Sequence, residues 1–311
     1  MSSEMEKHLE KPVHWYMLGK GGVGKSTASA LVSLGLASKN RRVLLVSLDP
    51  AHNLSDIFEK RFNDRPAVVT PHLRVMELNQ ERWIKKYLQD VRREILQTYR
   101  YLTAFNLESY LDVMKFAPGL EEYALLMAFQ HLTAKYADVD VLVFDMPPTA
   151  LSLRFFCLPS ISLVWIEALL KMRREIIRKK EMITRIKLGK QEVEQDKVLN
   201  RIVERQSDYR NLSAVFTDPR KTRIHLVLNP DQLSLSESRR IVQTLRGIDM
   251  PVARIIVNKT APGSSGARFQ CELAGIPVAG IPAAQTPLIG LPRLQGFLDT
   301  QSEFLDQVIT E

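Results

Sequence analysis

Residues 19–27 read Gly-Lys-Gly-Gly-Val-Gly-Lys-Ser-Thr. This is the phosphate-holding pattern G-x-x-x-x-G-K-[ST], with Gly19, Gly24, Lys25 and Ser26 in the four fixed places. Gly21, Gly22 and Val23 fill the loop and Thr27 follows it. Glycines let consecutive backbone N–H groups converge on an anion, and the helix behind them adds the positive end of its dipole. Lys25 is placed to reach the β- and γ-phosphates of a nucleotide, and the Ser26 hydroxyl to reach Mg²⁺. Lys20 is a second cation at the mouth of a site whose phosphates Lys25 already serves, so it is available to a second subunit or to solvent. Two acids complete the set. Asp145 closes an apolar run, where a carboxylate can hold Mg²⁺ through water. Asp49 closes another, where it can orient an attacking water or cap the helix that starts near Asn53. His52 reads as a structural hydrogen-bonder, because phosphoryl transfer asks for positioning and charge stabilisation more than for proton transfer.

The elements that must carry these residues are legible as apolar runs. His14–Leu18 precedes the glycine loop, and Ala28–Ala37 follows it with apolar residues at helical spacing. Arg42–Ser47 runs to Asp49, Val139–Phe144 to Asp145, Arg223–Leu228 stands alone, and Val252–Val257 runs to Asn258. Apolar strands alternating with helices predict a mostly parallel sheet covered on both faces, with ligands beyond the carboxyl ends of the strands. The fold class is therefore α/β, a P-loop NTPase with helices flanking the sheet. Residues 80–136 and 160–212 break the alternation with long helical patterns, which reads as a helical subdomain inserted into the sheet domain. Leu169, Met172, Ile176, Ile183 and Ile186 share one helical face, interrupted by Lys179. Leu188-Gly189-Lys190 reads as the turn to the next helix. The division is a flexible tail over 1–12 and a single ATPase domain over 13–311.

The 311 residues are 45% hydrophobic and 25% charged, ordinary globular values. Residues 1–12 lack the basic start and apolar run of a signal peptide. The longest apolar stretch, Phe155–Leu170, contains Pro159 and Glu167 and is read as too short to span a bilayer. Two cysteines, Cys157 and Cys271, make neither a disulfide framework nor a four-ligand metal site. These features predict a cytoplasmic protein, peripheral at a membrane at most and not integral to one. The net charge of +8 is concentrated: Lys171–Arg205 holds twelve Lys/Arg against six Asp/Glu, so that segment supplies +6 of it. Without an aromatic stacking platform, this does not predict nucleic-acid binding.

Three of these stretches together resemble the ArsA-type ATPases. They are Lys20–Thr27, Ser47-Leu-Asp-Pro-Ala-His-Asn-Leu-Ser-Asp56, and Asp145-Met-Pro-Pro-Thr-Ala-Leu-Ser-Leu-Arg154. Ala117–Glu121, Thr217–Thr222, Leu233–Glu237, Val257–Lys259 and Ile281–Leu291 are similar to further stretches in the family's order. The family includes the ATPase that drives arsenite pumps and the one that targets tail-anchored membrane proteins. The resemblance implies a homodimer whose two ATP sites face each other and which opens and closes with nucleotide state. It implies that Lys20 acts in trans and that Asp49, with Lys20 and Lys25, is catalytic. It further implies that Ser26 and Asp145 hold Mg²⁺, and that Asn53, Pro148, Asp231, Asn258 and Pro282 join the loop around the nucleotide. Asn258 matches the residue that reads the adenine, Pro282 the one packed against it, and Asp231 an acid near the partner's nucleotide. The helical insert is where targeting members bind a hydrophobic client. Phe155, Phe156, Leu163, Val164, Trp165, Ile166, Leu169, Leu170 and Met172 are either that surface or the insert's own core.

Three departures from the family pattern bear on the output. Leu151 replaces a histidine associated with metalloids. No cysteine cluster is present to bind arsenite. The zinc-binding C-x-x-C pair of the targeting dimers is missing. Neither zinc nor an iron–sulfur cluster is expected.

Overall fold

The computed structural model describes residues 12–98, 112–188, 196–261, 273 and 275–309. Its centre is an eight-stranded sheet. The strands are β1 (Val13–Leu18), β2 (Val43–Ser47), β3 (Ala67–Thr70), β4 (Leu73–Glu77), β5 (Val141–Asp145), β6 (Thr222–Leu228), β7 (Val252–Thr260) and β8 (Val278–Pro282). Their order across the sheet is β3-β4-β2-β5-β1-β6-β7-β8. Every pairing is parallel except β3 with β4. The four strands expected beside the chemistry and the one expected before Asn258 are present. Strands β3, β4 and β8 were not expected. β3 is a short edge strand with little burial, and β8 holds Gly280 and ends in Pro282, so neither gives a strong strand signal.

Parallel strands are covered on both faces, which explains why they are apolar without alternation. On β1, Tyr16 and Leu18 enter one core while Trp15 and Met17 enter the other. Helix α1 (Lys25–Ser38), with almost every residue buried, covers the second face with α8 (Leu291–Thr300) and α9 (Ser302–Ile309). A short helix, α2 (Asn53–Ile57), follows β2.

The first face carries the long helices: α3 (Gln80–Thr98), α4 (Leu120–Lys135), α5 (Thr149–Leu188), α6 (Lys197–Thr217) and α7 (Gln232–Arg246). An aromatic cluster joins three of them, α4, α5 and α6, to the sheet. Phe129 of α4 lies 5.3 Å from Phe144 of β5, 5.9 Å from Phe155 of α5 and 5.4 Å from Phe216 of α6, centroid to centroid. Tyr16 of β1 stacks on Phe144 at 5.2 Å. Outside the core, Glu94 of α3 accepts from Arg201 at 2.9 Å and from Arg205 at 2.7 Å, both on α6. Asp196 caps α6 through the Leu199 N–H at 2.9 Å and takes a two-pronged bond from Arg173 of α5.

Helix α5 runs unbroken for 40 residues with Pro159 inside it. It starts at 149, so its first turns belong to the sheet's core. By length and composition it is apolar enough to cross a bilayer, which corrects the sequence reading that no stretch reaches that length. Its apolar residues divide. Phe155, Phe156, Ile166 and Leu170 are buried, and Leu163 is half-buried. Ile161, Val164, Trp165, Leu169, Met172 and Ile176 are exposed, Val164 by 70% and Trp165 by 68%. Buried and exposed residues thus lie on two faces of one helix, and the sequence showed only that both are apolar. The side chains of Ile183 and Ile186, the Gly189-Lys190 turn, Cys271 and residues 1–11 lie outside the described residues.

Truncating the centre of the aromatic cluster should be costly. Phe129→Ala is expected to lower unfolding free energy by about 3–5 kcal/mol, the range for large-to-small aromatic changes in a packed core. Urea unfolding followed by far-UV circular dichroism measures it.

Candidate functional site

The glycine loop leaves β1 at the carboxyl edge of the sheet, and its backbone runs through positive φ at Gly19, Gly22 and Gly24, two of which also have no room for a Cβ. Gly24 has φ of 88°, and a Cβ there would run into the Asn258 side chain. At Gly19 a Cβ would collide with the carbonyl of Val227. Gly21 and Gly22, by contrast, face open space, which leaves room for an anion above the loop. Asn258 closes the loop from β7: its amide donates to the carbonyl of Val23 at 2.8 Å. Lys25 is buried at the start of α1, and its ammonium donates to the carbonyl of Lys20 at 3.3 Å. Lys20 is half-buried at the loop's outer lip.

Asp145 ends β5 and is fully buried. One carboxylate oxygen accepts from Ser29 of α1 at 3.2 Å, and the other has no hydrogen-bond partner. Burial pushes its pKa up from 3.8 to about 6; Ser26, Lys25 and Ser29 pull it down, and the Asp49 charge pushes it further up. An orphaned, buried carboxylate oxygen beside a serine hydroxyl at a loop shaped for phosphate suits a hard divalent cation, which takes oxygen ligands. The donor set of Asp145 and Ser26 therefore fits Mg²⁺.

Asp49 is buried just past β2. Its N–H donates to the Ser47 hydroxyl at 3.3 Å, and its carboxylate accepts from the Ala51 N–H at 3.0 Å. It does not cap α2. His52 occupies that position in the left-handed region, with φ of 52° and no capping bond from its side chain. Asn53 is the first residue of α2 and is half-buried. His52 reaches back toward Glu77, with 3.6 Å between its Nδ1 and the carboxylate, in line with a structural rather than a proton-transfer role.

The remaining expected residues ring the same edge. Pro148 is exposed on the turn between β5 and α5. Pro282 ends β8, in register with Thr260 of β7. Asp231 caps α7, accepting from the N–H and the hydroxyl of Ser234 at 2.8 Å each; these bonds, with the nearby Lys20 charge, hold its pKa low. The sequence reading missed contacts that link segments. Thr149, at the start of α5, donates to Glu237 of α7 at 2.8 Å. Arg154 pairs with the buried Glu122 of α4 at 3.3 Å. Glu77, buried at the end of β4, accepts from Ser55. Each pair is far apart in sequence, and only Glu77 had a usable signal: an acid closing the run Leu73-Arg-Val-Met76.

Residues 14–274 match the family described as anion-transporting ATPase, the ArsA ATPases. The chain belongs to this family. It is an ArsA-type ATPase with a P-loop fold. Similar proteins include an ATPase GET3 of Komagataella phaffii, 31% identical over 275 residues, covering 83% of this chain and 78% of that one. An ATPase ASNA1 homolog of Entamoeba dispar is 30% identical over 255 residues, covering 78% and 75%. ATPase GET3C of Arabidopsis thaliana is 28% identical over 304 residues, covering 90% and 76%.

The raised Asp145 pKa has a definite sign. Between pH 3.8 and about 6 the folded ATPase holds a proton that the unfolded chain releases. The stabilisation from this group is therefore full below that window and is lost as pH rises through it. Above it, the buried charge costs on the order of 3 kcal/mol. In the nucleotide- and metal-free ATPase, Asp145→Asn should raise the melting temperature at pH 7.5 and flatten its dependence between pH 4 and 7. Differential scanning calorimetry across that range measures both.

Proposed function

We propose that the chain works as a nucleotide-gated homodimer that binds and hydrolyses ATP·Mg²⁺ and delivers a conformational change to a partner or client. The observation that carries this reading is the meeting, at one edge of the sheet, of the glycine loop, the orphaned oxygen of Asp145 and the carboxylate of Asp49. Bound Mg²⁺ supplies positive charge against the β- and γ-phosphate oxygens. The loop amides and Lys25 hold those phosphates, and Ser26 and Asp145 are the residues suited to the metal. Asp49 orients the attacking water; little proton transfer is asked of it, since positioning and electrostatics dominate phosphoryl transfer. The family resemblance assigns the adenine to Asn258 and Pro282, both at the carboxyl edge, and Asp231 feels the nearby Lys20 charge.

For the output, the exposed apolar face of α5 favours a hydrophobic client, such as a membrane-protein segment, held by a helical subdomain of α3–α6. Seven large apolar residues exposed along one helix, Met182 being the seventh, exceed the scattered singles of an ordinary surface. Driving a membrane anion pump is the weaker alternative. Leu151 stands where the family carries a metalloid-associated histidine, and no cysteine cluster accompanies it in the sequence. In this reading the protein is cytoplasmic and meets membranes only through its client or partner, and neither zinc nor nucleic acid takes part.

Asp49→Asn should bind ATP·Mg²⁺ nearly as well as wild type and turn it over at least tenfold more slowly, about 1.4 kcal/mol of barrier. Calorimetric titration and single-turnover hydrolysis separate the two effects, and equal turnover would remove Asp49 from the chemistry.

The dimer has its own test. Lys20→Ala should retain ATP binding and lose turnover. Mixing it with Asp49→Asn should restore part of the rate, because in a mixed dimer the site that keeps Asp49 receives Lys20 from its partner. Absence of rescue, with subunit exchange confirmed by labelled protomers, would place Lys20 in cis or require both sites to fire together.

A further inference from the structure

Three neighbouring strands end in serine or acid at the same edge. In register, Ser47 of β2 lies between Asp145 of β5 and Glu77 of β4. Glu77 has no part in the function proposed above, yet it is only 2% exposed. No lysine or arginine among the described residues pairs with it; the imidazole of His52 lies 3.6 Å away. Its two oxygens are instead taken by one residue of α2. The Ser55 N–H donates to one at 2.9 Å and the Ser55 hydroxyl to the other at 2.6 Å. The Ser55 hydroxyl in turn accepts from the Phe62 N–H at 3.1 Å. All of these partners belong to the segment that follows Asp49.

A buried carboxylate is tolerated only while it is hydrogen-bonded, and charge-assisted bonds are the stronger kind. Glu77 and the 52–55 segment therefore hold each other: moving Ser55 away would leave a buried charge without partners. The same segment carries His52 in a backbone region uncommon for a residue with a side chain, which surrounding contacts must hold in place. Asp49 is tied to that segment through the Ala51 N–H.

We infer that Glu77 is a positioning residue for Asp49: a fixed anion at the end of β4 that pins Ser55 and His52, and so sets the direction in which the Asp49 carboxylate faces the phosphates. The inference rests on the reading of Asp49 as the group that orients water. In this inference Glu77 acts only through Ser55 and His52. Gln keeps the length and one acceptor oxygen but loses the charge, so it loosens the tether without emptying the space.

The test compares Glu77→Gln, Ser55→Ala, their double variant and Asp49→Asn with wild type. The expected result for Glu77→Gln is a kcat at least tenfold lower, with KM for ATP·Mg²⁺ within threefold. Ser55→Ala should fall in the same direction, and the double variant should be no slower than the worse single one, since both cut one tether. Hydrogen exchange of amides 50–57 should rise in Glu77→Gln while exchange in α1 stays unchanged. Wild-type exchange and kcat in Glu77→Gln, with Asp49→Asn slow, would overturn the inference and leave the role of Asp49 standing. Faster exchange in Glu77→Gln with Asp49→Asn fully active would keep the tether and overturn the role of Asp49. A purely structural Glu77 would lower the melting temperature and raise exchange throughout β4, with kcat per folded molecule unchanged in both Glu77→Gln and Ser55→Ala; that outcome also overturns it.

Discussion

Burial of the central strands on both faces is the constraint from which the site follows. Strands β1, β2 and β5 have no solvent face, so they carry no acid or base other than the buried His14 and Tyr16 of β1 until the chain emerges at the carboxyl edge, where the carboxylates collect. The parallel register then brings those ends side by side. The consequence is a row of acids and a glycine loop within a few residues of one another, although they come from positions 19 to 145 of the chain. Asp145 shows what this arrangement costs: its carboxylate is held in a place where burial favours the neutral form until a cation arrives.

The same constraint explains what was legible in the sequence. The loop, Asp49 and Asp145 were readable because each sits directly after an apolar run, and a buried parallel strand leaves just that trace. Strand β4 was missed although it carries Glu77, because Arg74 interrupts its apolar run and it follows a short, little-buried edge strand. Contacts such as Thr149 with Glu237 or Arg154 with Glu122 leave no trace in spacing, since their partners are set by how helices pack. Helix α5 was legible as apolar and not as two-faced. Its buried and exposed residues have similar composition, and only the positions of α4, α6 and the sheet decide which side meets water.

The charged surface is organised by a few specific pairs rather than by net charge. Arg173 with Asp196 fixes the start of α6 against α5, and Glu94 takes two arginines from α6. Exposed pairs of this kind contribute little singly, but shared acceptors restrict how the long helices slide past one another. The described cations of α5 and α6 therefore sit on helices whose packing is set by the aromatic cluster beneath them.

Helix α5 begins four residues after Asp145 and continues for 40. A rise of 1.5 Å per residue places Met172 roughly 35 Å along the axis from Thr149. At that radius a swing of about 5° about the first turn carries the far side chains through roughly 3 Å, about twice the rise of one residue. Any tilt of α5 at the Pro147-Pro148 turn is thus magnified along the helix and is largest at its far exposed apolar residues, Trp165 and Met172 among them.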